Sequence, residues 1–367
     1  MSDTLVYKIA FASIRGMGID LARKFLDVIL SEKDFFEMSE NDLRNLTRST
    51  AKMCEKGYRH DMLEKAKREL EFIRKKNISV SYFTDDTYPH RLLEANDAPI
   101  LLYSSGKCNL NALHVISIVG TRHATPVGIK TCDEIVSKLS KRLDNLVIVS
   151  GLAYGIDIAA HRAALKHNVP TVAVLAQGLN KIYPATHRND AISIIKQGGA
   201  IVTDYQSQDD IHKGNFLARN RIIAALADCT VIVESAATGG ALVTASLAQS
   251  YNRDVFAVPG RTGDEYSRGC NKLIRDNRAM LITSADDIIE AMSWETKETQ
   301  PIQQELFPTL TGDEKKRVDA LKANGDMHIN ELASLLQIPV YKLMGALVEL
   351  DCSGLVVTLP GCRYSTR

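Results

Sequence analysis

The chain has 367 residues, 45% hydrophobic and 24% charged, a composition that suits two or three folded domains and excludes coiled-coil, collagen-like and disordered classes. Its 45 Lys and Arg offset 44 Asp and Glu, so there is no global attraction for a polyanion and any such site must gather positive charge locally. The N-terminus lacks a leader pattern and no run reaches about 18 apolar residues, which predicts a soluble cytoplasmic protein without membrane contact. Seven dispersed cysteines without a CxxC pair speak against zinc-finger spacing and a disulfide framework, and neither metal nor cofactor is expected.

In chain order, residues 1–80 read as a small helical domain. Leu5, Ile9 and Ala12, then Leu21, Phe25 and Ile29, then Leu63 and Leu70 recur at helical spacing. Gly16 and Gly18 separate two of these helices in RGMGID, a turn of the SAM or helix-hairpin-helix type that can hold a DNA phosphate. A plain helical corner used for packing explains it about as well. Residues 81–113, with prolines and mixed polarity, read as a connector.

From 114 to 294 the runs HVISIVG, LVIVSG, TVAVLAQG, AIVTD, TVIVES, DVFAVPG and AMLIT alternate with amphipathic helices. Apolar strands without strict alternation are covered on both faces, so the fold class is α/β, a Rossmann-like, mostly parallel sheet. Residues 295–311 read as a polar linker, and 312–367 as three helices plus a hairpin, a winged-helix-like domain. Only Lys342 is basic in its last helix, which favours protein contact over base readout.

Ligands of such sheets sit beyond the C-terminal strand ends. There Gly120 permits close backbone approach, Thr121 offers a hydroxyl and Arg122 a planar fork for phosphate. Ser150, Gly151 and Gly155 precede the next helix as a second anion cradle, and Gly239 and Gly240 a third. Lys213, Arg219, Asn220 and Arg221 surround Phe216. An aromatic among cations suits single-stranded nucleic acid, although Phe216 fits a core position equally well. Arg219 and Arg221, two apart, can grip successive phosphates only from a turn. Arg261, Asn271 and Lys272 complete the edge. Asp157 and His161 stand i,i+4 on one helix, the spacing of an internal contact rather than a triad, and Glu234 is the one acid considered for catalysis. Neither dinucleotide-binding nor P-loop spacing occurs.

GTR at 120–122, SGLAYGIDIAAH at 150–161, GLNKIYPATH at 178–187, FLARNRIIAALA at 216–227, TGGALVTA at 238–245, VPG at 258–260 and GCNKLI at 269–274 together resemble the bacterial DNA-processing protein A family (DprA, also known as Smf). The resemblance implies a dimeric protein, not an enzyme, that binds single-stranded DNA, protects it during natural transformation and loads the recombinase RecA. It gives Arg122 the role of a phosphate-gripping arginine, matches Arg219, Asn220 and Arg221 to an F-P-x-R-N-R segment in which Leu217 replaces the proline, and makes Lys213 a DNA-binding lysine. The alternative on the same fold is a nucleoside-monophosphate phosphoribohydrolase, which TGGAL resembles. That family's P-G-G-x-G-T and following glutamate are absent here.

Overall fold

The apolar runs of the central segment pair side by side in one sheet. The computed structural model describes residues 2–47, 51–297 and 312–366. In it the sheet strands are β1 (Ser79–Tyr82), β2 (Leu101–Gly106), β3 (His114–Val119), β4 (Leu146–Ser150), β5 (Thr171–Val174), β6 (Ala200–Thr203), β7 (Cys229–Ile232), β8 (Asp254–Ala257) and β9 (Met280–Leu281), in spatial order β1-β2-β6-β5-β4-β3-β7-β8-β9. Strands β3 to β9 are parallel, while β2 joins β6, and β1 joins β2, antiparallel.

Before β1 come α1 (Ser2–Ala12), α2 (Ile19–Leu26), α3 (Glu32–Glu37), α4 (Glu40–Thr47) and α5 (Lys56–Lys76); α6 (His90–Leu93) lies between β1 and β2. The crossovers are α7 (Pro126–Arg142), α8 (Ile156–Lys166), α9 (Arg188–Lys196), α10 (Lys213–Leu226), α11 (Gly240–Ser250) and α12 (Arg268–Arg275), and α13 (Ala285–Ala291) follows β9. Alternate strand residues face opposite ways. Ile116, Ile118 and Ile148 pack with Ile135, Ala160 and Ile288 on one face, and Val115, Val119 and Val149 belong to the core that includes Ile222, Ala245 and Leu273 on the other. That second core runs on without interruption into Ile9, Phe11, Phe25 and Phe35, so the N-terminal helices share it with the sheet.

Two expectations are corrected here. Residues 81–113 are not a connector, because β1 and β2 extend the sheet through them. The ends of this segment are fixed by Arg91, which pairs with Asp228 at 2.6 Å and donates to Ala112 O, while Asp228 accepts from Val115 N–H. Nor do residues 1–80 stand apart: 1–297 form one compact unit, and the second begins at Glu298. The tight α1–α2 turn is present, with Gly16 at φ +84°.

The C-terminal unit contains α14 (Gly312–Asn324), β10 (Met327–His328), α15 (Ile329–Leu336), α16 (Val340–Cys352), β11 (Val356–Leu359) and β12 (Arg363–Thr366), the strands pairing antiparallel in order β10-β12-β11 around Leu321, Leu332, Leu343 and Leu347. The expected three helices and hairpin are there, with β10 as an added strand. Of the expected linker, residues 298–311 lie outside the described residues. No single helix among the described residues is long and apolar enough to cross a membrane.

His161 on α8 is fully buried, its Nδ1 2.8 Å from the Thr171 hydroxyl. That hydroxyl donates to Ile148 O, so Nδ1 carries the proton and Nε2 is left without a partner in the core. The contact with Asp157 expected from the i,i+4 spacing is replaced by this one to β5. Burial pushes the imidazole from 6.5 down to about 3. Above 6.5 both folded and unfolded chains are neutral here. As pH falls below it only the unfolded chain protonates, so stability is lost. Denaturant melts at about pH 5 and about pH 7 should show a loss of ~1–2 kcal/mol for the wild type and a smaller one for His161→Gln.

Candidate nucleic-acid interface

The crossover after β3 leads to β4 on one side and the crossover after β7 leads to β8 on the other, although β3 and β7 are neighbours. Their C-terminal loops diverge and leave a crevice, the usual ligand position of a doubly wound sheet. A cavity of about 530 Å³ occupies it, walled by the loops after β3, β4 and β7 and by the start of α10.

The β3 loop is held rigidly. Thr121 N–H donates to Glu234 O at 2.7 Å, Thr121 O accepts from Ile156 N–H at 3.1 Å, and the Thr121 hydroxyl accepts from His123 N–H at 3.1 Å. A Cβ on Gly120 would lie 2.5 Å from Ile156, and one on Gly155, at φ +79°, would collide with Thr121 O. The two glycines therefore let the loop lie flat against the start of α8. Glu234 accepts from the Thr125 hydroxyl at 2.5 Å and Thr125 N–H at 2.9 Å. Glu234, the one acid considered for catalysis from sequence, is a loop clamp outside this cavity wall.

On this frame Arg122 is exposed, with its guanidinium 5.6 Å from the centre of the Phe216 ring. Phe216 is half-buried rather than core, and its ring also tilts against Tyr183 at 5.5 Å. Lys213 opens α10, exposed, on the same wall. Neither Arg122 nor Lys213 has a salt bridge among the described residues. Opposite them the α11 N-terminus, with Gly239 as its cap and Gly240 as first residue, is exposed to the cavity and supplies the positive end of a helix.

Arg219 and Asn220 also line the cavity, yet both are buried, at 4% and 8% exposure. The Arg219 guanidinium donates to Gly151 O at 2.6 Å and to Val174 O. Burial pushes it down to about 10, opposed chiefly by Asp157. Burial in turn raises the Asp157 carboxyl, against the pull of Arg219 and the Ala153 and Gly151 N–H groups. Asn220 donates to Gly240 O at 3.4 Å and ties α10 to α11.

The remaining expected positions lie elsewhere. Arg219 and Arg221 sit on helix α10, not a turn, and point apart: Arg221 pairs with Asp204, bonds Asp97 O and lines a different groove. The second cradle is already filled. Ser150 donates to Ile118 O at 2.6 Å, and Gly151 lies against the Arg219 guanidinium. The α8 N-terminus is occupied by Thr121 O and the Asp157 carboxyl. Asn271 closes the loop after β8 by bonding both N–H and C=O of Gly260. Arg261 and Lys272 are exposed away from the cavity. Sequence reasoning passed over Tyr183 and His123, which line the wall. Tyr183 was legible as an aromatic within the positively charged run NKIYPATH.

A model of the family described as DNA recombination-mediator protein A matches residues 79–293. The chain is 35% identical over 291 residues to Protein Smf of Escherichia coli, covering 75% of this chain and 74% of that one. It is 38% identical over 205 residues to DNA processing protein DprA of Streptococcus pneumoniae, covering 56% and 71%. The solved structure of that DprA superposes with TM-score 0.64 at 29% identity over 79% of this chain and 98% of the other. A structure of DNA processing protein A from Helicobacter pylori, described for its single-stranded DNA binding mode, gives 0.52 at 30% identity over 59% and 97%.

Because Gly155 takes a left-handed conformation and a side chain there would strike Thr121 O, Gly155→Ala should cost about 2 kcal/mol or more of stability. Arg219→Ala should cost about 3 to 5 kcal/mol, since it strips two buried carbonyls and Asp157 of their partner. Both are read from denaturant midpoints, and an Arg219→Ala protein as stable as wild type would remove the structural role given to that side chain.

Proposed function

Since the chain belongs to the DNA recombination-mediator protein A family, we propose that it binds single-stranded DNA in the crevice at the β3/β7 switch point. It would protect the strand and load the recombinase RecA onto it, as in natural transformation. The observation that carries the reading is the cluster of Arg122, Lys213 and Phe216 facing the open α11 N-terminus. Two cations without a salt bridge among the described residues and a helix N-terminus select phosphates, while a half-exposed ring accepts any base face. A flexible strand can thread its backbone past Arg122 while a base turns in. A stacked duplex presents no free base face to Phe216.

Action by binding rather than catalysis agrees with the acids present. Glu234 is committed to Thr125, and Asp157 is buried beside Arg219, so neither of these carboxylates stands free as the general base that the phosphoribohydrolase reading needs. Homodimerisation, contact with RecA and a cytoplasmic location are parts of the same proposal. In the C-terminal unit α16 exposes Tyr341, Met344 and Val348, a face better suited to protein than to DNA.

Fluorescence anisotropy should show oligo-dT bound more tightly than duplex, with affinity falling as salt rises. Arg122→Ala and Lys213→Ala should each weaken binding across sequences and reduce the log–log salt slope by about 0.7, the release expected per single-strand phosphate. Arg221→Ala should leave that slope unchanged. Equal affinity for single strand and duplex, or no binding at low salt, would sink the reading.

A further inference from the structure

At the cavity wall and beyond it stand aromatic and charged groups to which the site just described gives no role. Tyr183 is 51% and Tyr154 47% exposed, unusual for rings held in place by their neighbours. Tyr154 follows Ala153, a cavity-wall residue in the β4–α8 loop. Its ring packs edge-on against His187 at 5.0 Å and its hydroxyl lies 3.3 Å from the Thr186 hydroxyl. His187 is buried and its Nδ1 bonds Leu152 O at 2.9 Å, so the segment from Tyr183 to Arg188 is fastened onto the loop that bears Tyr154. Phe216, Tyr183 and Tyr154 therefore form a row of rings, the first pair in contact and the last joined to the second through this segment.

The charges beside the row are positive. Lys181 and Arg188 are exposed and without a salt bridge among the described residues, and the neighbouring acid, Asp190, is held by Arg162 at 2.9 Å. A pre-positioned ring loses little conformational freedom when a base stacks on it, and a cation on either side can follow the backbone.

We propose that the single strand runs on from the cavity across Tyr183 to a second base-stacking platform at Tyr154, with Lys181 and Arg188 on its phosphates. This extension rests on the single-stranded DNA reading above. It turns a one-base cavity into a track with direction, leading from the β3/β7 crevice toward the ends of β4 and β5.

A ladder of dT oligomers of increasing length, titrated by anisotropy, tests it. Wild-type affinity should step up at the length that reaches Tyr154. In Tyr154→Ala the step should fall by about fivefold or more, the loss expected for one base–aromatic stack, with the shortest bound oligomer unaffected. Tyr154→Phe, which keeps the ring and drops the Thr186 contact, should keep the step. Arg188→Ala should lower the salt slope for long oligomers alone. Arg122→Ala should weaken every length. Tyr154→Ala with an unaltered ladder overturns the track while leaving the cavity reading intact, and so does an equal loss at all lengths. A wild-type protein that binds no oligomer overturns both.

Discussion

The Arg219 guanidinium is buried where the C-terminal ends of β4 and β5 meet α10, and it donates to carbonyls from both strand-end segments, those of Gly151 and Val174. A buried cation of this kind is tolerated only when its donors are used and a carboxylate stands near, and Asp157 supplies the charge. Much of the crevice follows from it. Gly151 must lack a side chain because the guanidinium occupies the space. The start of α8, which carries Asp157, is drawn against the β3 loop, and Ile156 N–H bonds Thr121 O. Asn220, next in sequence, carries the same frame to α11 through Gly240 O.

With that frame fixed, the groups left for a ligand are few. A chain whose charges nearly cancel holds a polyanion only where cations escape their acids. Arg91, Arg162, Arg221 and Arg253 are all engaged with carboxylates, whereas Arg122 and Lys213 line the crevice without a salt bridge among the described residues. The division separates structural from ligand-directed arginines more sharply than position in a motif does, since Arg219 and Arg221 share one segment with Lys213 and serve packing.

The seven runs expected as strands are β3 to β9, and the glycine-bearing loops after β3 and β7 line the cavity. These were legible because a β-branched run covered on both faces has a local signature and because glycine marks close approach. Less legible were β1 and β2. β1 pairs antiparallel with β2, and β2 with a strand about a hundred residues downstream, Tyr103 opposite Thr203; such pairing leaves no trace in local spacing, while Pro89 and Pro99 suggested a loop. The Ser150–Gly151 cradle read as open because a sequence does not show that a side chain from position 219 fills it.

The sequence by itself determined the α/β class, the strand runs, the family likeness and most of the candidate residues that line the cavity, though not Tyr183 or His123, because periodicity, turn chemistry and linked motifs are properties of neighbours along the chain. Which of those residues are free was decided only by tertiary structure. Exposure and ion pairing depend on groups distant in sequence. Arg221 meets Asp97 and Asp204, Arg219 meets Gly151 and Val174, and Glu234 meets Thr125, leaving Arg122, Lys213 and Phe216 facing the crevice.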